Sequence, residues 1–216
     1  MKYPEFFKEY KDIHCDKTAF LIGGGPSLKD GKKYFDYAKS KDYLFFGNND
    51  LVFEKILFKL DYFVLSDKEN LKRRGRYNFI NAEAKKEKFY VNYKSRKYNK
   101  ELLTKDELKK SKGKSFDVYY NNIFRKLEKK SIHRSSLFIT FQLILIMGIK
   151  KIYLIGCDCG GSNFFINKGS NYTLLIEQWK YLKDFTKKYF PDVKIFIINP
   201  VNLKDVFLED PNYFKP

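Results

Sequence analysis

The sequence predicts an α/β, Rossmann-like chain: a mostly parallel sheet with helices on both faces and a Lys-rich insertion. Two observations carry this reading. Short β-rich runs alternate with segments of helical spacing, and several of the runs stop directly at glycine or a polar loop. The 216 residues, 44% apolar and 19% aromatic, are enough for one sizeable core, so residues 1–216 read as a single domain.

The elements follow in order. Ala19–Gly24 and Tyr43–Gly47 are predicted strands, and Tyr34, Tyr37 and Ala38 between them have helical spacing, which makes a first β-α-β unit. Asp61–Leu65 and the run KFYVNY read as further strands. The insertion is drawn at about residues 82–131, with short helices of its own and too few aliphatic residues for a core. SSLFITFQLILIMG, apolar nearly all round, opens on serines suited to an N-cap and stops at Gly148, so it predicts a buried helix. Lys151–Ile155 is the next strand. A long helix follows, with Leu175, Trp179, Leu182 and Tyr189 on one stripe ahead of Pro191, and Val193–Ile198 closes the series. Of the strands, Ala19–Gly24, Tyr43–Gly47, Asp61–Leu65, Lys151–Ile155 and Val193–Ile198 are expected in one mainly parallel sheet, joined by right-handed crossovers.

Composition narrows the function classes. The chain has no uninterrupted apolar run of about 18 residues and a charged N-terminus, so neither a membrane span nor a signal peptide is expected. The three cysteines, Cys15, Cys157 and Cys159, suit a reducing compartment, and the expected location is the cytoplasm. Cys157-Asp158-Cys159 is too tight for common zinc spacing, so no metal ligands are assigned; whether the chemistry needs a metal stays open. The net charge of +17 asks for an anionic partner, and Lys72–Lys130, with 20 Lys and Arg against 7 Asp and Glu, holds +13 of it. That stretch fits a phosphate backbone, an acidic polysaccharide or a membrane surface, which would place the protein at the periphery of the inner membrane; it equally fits a solvated lysine surface. No nucleic-acid module is recognisable, so nucleic acid is not expected as a partner.

Four loops, GGGPSLK, GNND, LSDKE and GCDCGG, each follow a predicted strand directly. Ligands of open parallel sheets bind where the carboxyl ends of strands meet, so these loops are the candidate site. Gly23, Gly24 and Gly25, followed by Pro26, would let backbone amides approach an anion, with favourable partial charge from the helix start beyond. Ser27 suits either a phosphate oxygen or a helix cap. The spacing is neither G-x-G-x-x-G nor G-x-x-x-x-G-K-[ST], which argues against nicotinamide and P-loop sites. A sharp structural turn accounts for the glycines equally well.

In combination, IGGGPSLK, GNND, SSLFITFQLILIMGIKKIYLIGCD and VKIFIINP resemble the bacterial sialyltransferases of glycosyltransferase family 42. They are also similar to the related group of 6-hydroxymethylpterin pyrophosphokinase-like or motility accessory proteins. The resemblance implies one nucleotide-binding domain, a nucleotide-sugar donor, of which a CMP-sugar is favoured, and a surface glycan or similar acceptor. It sets Gly23–Ser27 against the phosphates and Asn48 or Asn49 against the nucleoside, with Ser66 and Asp67 nearby. Ser135 and Ser136 match a Thr-Ser pair that contacts the donor nucleotide. Asp158 matches the acid at the end of the next strand, where it would orient a sugar hydroxyl or simply fix its loop.

The departures from that pattern are equally specific. Gly24 stands where the sialyltransferases have a second Asn, and Leu137 where they have Gly. Their phosphate-assisting tyrosines would fall near Gly160 and Ile166, and GGSNFFINKGSNYT, in place of the lid, contains no His. Of the two histidines, His14 precedes the first strand, and His133 lies just ahead of the buried helix as a candidate base or phosphate contact, or as a bystander. The Asp/His cluster that a pterin pyrophosphokinase would need for Mg²⁺ is missing from the sequence. Two function classes remain, a transferase and a non-catalytic nucleotide- or glycan-binding module; donor base, sugar, acceptor and oligomeric state are left open.

Overall fold

A computed structural model describes residues 4–30, 32–53, 59–94, 99–100, 102–118, 122–124, 135–159, 162–163, 166–169, 173–200 and 202–210. The fold is α/β and Rossmann-like, with mostly parallel strands joined through helices. In chain order the elements are β1 (Thr18–Ile22), α1 (Lys32–Ser40), β2 (Leu44–Asn48), β3 (Tyr62–Leu65), α2 (Lys68–Arg74), α3 (Arg76–Asn81), β4 (Glu87–Lys94), β5 (Asn99–Lys100), α4 (Lys105–Ser111) and β6 (Lys114–Val118). They continue with α5 (Leu137–Ile146), β7 (Lys151–Ile155), β8 (Ser162–Asn163), β9 (Ile166–Gly169), α6 (Thr173–Tyr189) and β10 (Lys194–Ile197). The chain forms two compact units, Met1–Lys11 with Phe45–Leu143, and Asp12–Leu44 with Ile144–Pro216.

In the first unit β2, β3 and β4 are parallel neighbours, registered Phe46 on Tyr62 and Tyr62 on Glu87. Asp61 joins their starts: its carboxylate accepts from Phe45 N at 2.8 Å, and its carbonyl accepts from Lys86 N and Glu87 N. β6 adds parallel to β4, and β5 pairs with β4 antiparallel. The N-terminal 3-10 turn Glu5–Tyr10 packs aromatic rings on this sheet, Phe7 on Phe116 at 4.8 Å and Tyr10 on Phe89 at 5.1 Å. Lys114 ties the same turn down by bridging Glu9 and Glu87.

In the second unit β10, β7 and β1 are parallel, with Lys151 opposite both Thr18 and Lys194. Ile152 to Ile155 and Ala19 to Ile22 are all buried. Such continuous apolar runs are what a strand covered on both faces requires. Over α6, Trp179, Leu182, Phe185 and Thr186 are buried, while Leu175 and Tyr189 are half-buried at the margin of the expected stripe.

All six predicted strands, KFYVNY as β4 among them, are present within one or two residues of their expected ends. The helix expected from Ser135 runs Leu137–Ile146, with Phe138, Ile139, Phe141, Leu143 and Ile144 fully buried, so truncating any one to Ala would cost about 2–5 kcal/mol.

The Lys-rich insertion reads differently in three dimensions. Among its described residues, β4, α4 and β6 continue the strand–helix–strand rhythm, and Phe89, Tyr90, Val91, Phe116 and Val118 are buried. Lysines flank the largely apolar run of β4, Lys88 and Lys94 on either side of residues 89–93, and Lys114 precedes Phe116 in β6, so a stretch that is basic by composition still supplies buried strand residues.

Candidate functional site

The four polar loops fall into two pairs, one inside each unit. In the second unit, the loop after β1 meets the loop after β7. Gly23 N donates to Ile155 O and Gly25 N to Gly156 O, both at 2.7 Å. Ser27 N donates to Asp158 Oδ2 at 2.9 Å, and Ser27 Oγ accepts from Gly156 N at 2.9 Å. Leu28 N closes onto Gly25 O, which begins the 3-10 turn Pro26–Asp30. Proline has no amide to offer at position 26. Of the amides expected to cradle an anion, those of Gly23, Gly25 and Ser27 are therefore engaged by the protein itself. Gly24 N alone in this loop donates to no described residue.

The glycines are required by packing. A Cβ on Gly25 would fall on Asp158 Oδ2 and 2.7 Å from Gly156 O. Gly156, at φ +67°, faces Gly23 O with no room for a side chain. Asp158 is only 2% exposed, and its second oxygen, Oδ1, has no hydrogen-bond partner among the described residues. Burial pushes its carboxyl above the ordinary value, opposed by the hydrogen bonds from Ser27. Asn202, from a segment remote in sequence, donates its amide N to Asp158 O and its side-chain Nδ2 to Cys159 O, both at 3.1 Å. A lone Asn beyond the last strand carries no signal that would have found it.

In the first unit, the ends of β2 and β3 meet the start of α5. Asn48, the last residue of β2, and Asn49 both donate side-chain Nδ2 to Ser136 Oγ, Asn49 at 3.0 Å. Asn49 Oδ1 accepts from Ser66 N at 3.1 Å, which fixes the orientation of its amide. Asn49 stands at φ +49°, a left-handed conformation that Asn tolerates better than most residues. With two donors directed at its oxygen, the Ser136 hydroxyl donates to no acceptor among the described residues. Ser135 Oγ accepts from Leu137 N at 3.3 Å, and Ser136 O accepts from Ile139 N, so both serines organise the first turn of α5. Asp67, exposed just before α2, accepts from Asn70 Nδ2 at 3.2 Å. Half-buried Tyr93 lies close to Ser66, and burial pushes its phenol up to about 12, so it is neutral at physiological pH.

His133 lies outside the described residues, as does most of GGSNFFINKGSNYT. His14 donates its backbone N to Met147 O. Among the described residues no group of three or more His, Cys, Asp or Glu is placed to hold a metal, and no helix is long and apolar enough to cross a membrane. Burial pushes the Cys157 thiol up and that of Cys159 to about 12, so neither is an activated nucleophile.

No family model matches the chain, and no curated protein matches it in sequence. Solved structures do. A MAf glycosyltransferase from Magnetospirillum magneticum AMB-1 superposes with a TM-score of 0.58 at 13% identity over 97% of this chain, which spans 34% of that protein's length. The sialyltransferase CstII from Campylobacter jejuni, solved with the substrate analogue CMP-3FNeuAc, superposes with a TM-score of 0.60 at 19% identity over 93% of this chain and 88% of CstII. At these identities the likeness is one of fold, and the fold is one that glycosyltransferases use.

Proposed function

We propose that the protein is a glycosyltransferase that takes a nucleotide-activated sugar, a CMP-sugar by resemblance, and delivers it to a glycan acceptor. The observation that carries this reading is the Asn48–Asn49–Ser136 network: two side chains from the end of β2 and one from the start of α5, assembled around one hydroxyl that donates to no described residue. In this reading Ser135 and Ser136 contact the donor nucleotide, Asn48 or Asn49 the nucleoside, and Ser66 and Asp67 lie beside it. The Gly23–Ser27 loop faces the phosphates, with the Gly24 amide as its available donor. Asp158 holds that loop through Oδ2 and offers Oδ1 to a sugar hydroxyl. His133 is the candidate base for the acceptor hydroxyl. The single nucleotide-binding domain over 1–216 and the cytoplasmic location belong to the same proposal.

The lid-like stretch without a histidine favours a second reading, a nucleotide- or glycan-binding module that transfers nothing. One experiment separates the two. Thermal shift with CMP, CDP, UDP and GDP, followed by assay of nucleotide release from the matching sugar donor, should show stabilisation approaching about 2.7 kcal/mol at 100 times Kd, and then turnover. Stabilisation without turnover selects the binding module. No shift with any nucleotide overturns both.

A further inference from the structure

Part of the charge that the sequence concentrates from Lys72 onward lies on described residues of the first unit. Lys72, Arg73 and Arg74 form the last turn of α2, Gly75 turns the chain at φ +80°, and Arg76 and Tyr77 open α3. Arg76 grips Glu107 of α4 through two hydrogen bonds of 2.7 Å and donates to Leu102 O at 2.8 Å. This brings α4 alongside, with Lys105, Lys109 and Lys110 exposed. Arg76 and Glu107 neutralise each other, and exposed Asp106 of α4 offsets one further charge, which leaves Lys72, Arg73, Arg74, Lys105, Lys109 and Lys110 in excess among the described residues. Tyr77 is 77% exposed, the one large apolar side chain of this unit left so open among the described residues.

We propose that Lys72–Tyr77 and α4 form a docking surface for a bilayer containing anionic lipid. Lys and Arg near such a surface are attracted by its negative potential, and a tyrosine is suited to the headgroup region, where its ring is half solvated. Single-stranded nucleic acid would instead be gripped by successive aromatic platforms, and this surface has one ring. The inference goes beyond the nucleotide reading and does not depend on it.

The test is flotation of the full chain with vesicles of phosphatidylcholine alone or with about 30% phosphatidylglycerol, at roughly 0.1 M and 0.5 M salt. Binding is expected to the anionic vesicles alone, and to fall at the higher salt. Each basic residue at contact contributes about fivefold. Replacing Lys72, Arg73, Lys109 and Lys110 together by Gln should therefore weaken partitioning by at least about tenfold after screening. Tyr77→Ser, at a site too exposed to disturb folding, should weaken it about threefold with an unchanged salt dependence. The proposal is overturned by equal binding to neutral vesicles, by no binding at low salt, or by unchanged partitioning of the folded fourfold variant. Retention on poly(U) without vesicle binding also overturns it and assigns the surface to nucleic acid.

Discussion

The two loop pairs use similar raw material, short polar turns after buried parallel strands, and reach opposite results. In the second unit the backbone does the joining: loop amides bond to the neighbouring loop and to Asp158, and glycines stand where no Cβ fits. In the first unit side chains do it, converging on Ser136 Oγ, whose hydroxyl donates to no described residue. The glycine-rich stretch, which looks most like a ligand loop, is largely a latch. The GNND and SSLF segments instead hold the side-chain groups that the proposed function assigns to the donor nucleotide.

The largest expected effect falls on the latch. Gly25→Ala drives a methyl group into the Asp158 carboxylate, and with backbone on the other side nothing can yield cheaply; a loss of about 3 kcal/mol is expected, read as a drop in Tm or in soluble yield. An alanine variant as stable as wild type would show that the Gly25 contact with Asp158 is not what holds the two loops together.

Next come the two Asp158 variants. Asp158→Ala strands the buried Ser27 amide and should cost about 1–3 kcal/mol, whereas Asp158→Asn keeps an acceptor and loses only the buried charge. Because the folded carboxyl titrates above its ordinary 3.8, its contribution to stability is present below that pH and is lost as pH rises through the folded value. Relative to wild type, Asp158→Asn should therefore gain stability on going from pH 3.5 to pH 7 in denaturant melts.

The smallest effect belongs to the first unit's periphery. Thr104 caps α4 in a reciprocal box with Glu107, and Thr104→Ala should cost about 1 kcal/mol. Arg76 holds the Glu107 carboxyl down, from an ordinary 4.5 to about 2. That contribution is complete above pH 4.5 and disappears as pH falls towards 2, opposite in sign to Asp158 and weakened by solvent screening. An unfolding titration of Glu107→Gln that parallels wild type across this window would remove Glu107 from the account.

Much of the fold was legible because apolar strands covered on both faces leave unbroken runs, as in FLI, YFVL and KIYLI. In the insertion, KFYVNY reads as β4 and short helices are expected; what was missed is β6, parallel to β4, because in KSFDV only Phe116 and Val118 are apolar and the surrounding lysines dominate the composition. For the candidate site, the loops and the residue types at their tips could be read from sequence. Their pairing could not: Ser136 lies 88 residues from Asn48, and Asn202 reaches Asp158 and Cys159 from beyond the last strand. Hydrogen-bond accounting, which shows an amide already engaged, needs the neighbouring loop in place.

The contrast between latch and recognition cluster is tested most directly by calorimetric titration of CMP into folded Ser136→Ala and Asp158→Asn. Loss of the Ser136 hydroxyl removes both the anchor of two asparagine amides and a hydroxyl donor, so affinity should fall about tenfold or more. Asp158→Asn retains the loop and should bind CMP within about twofold of wild type. The reverse pattern, with Ser136→Ala unchanged and Asp158→Asn unable to bind, would contradict the account and return nucleotide recognition to the glycine-rich loop.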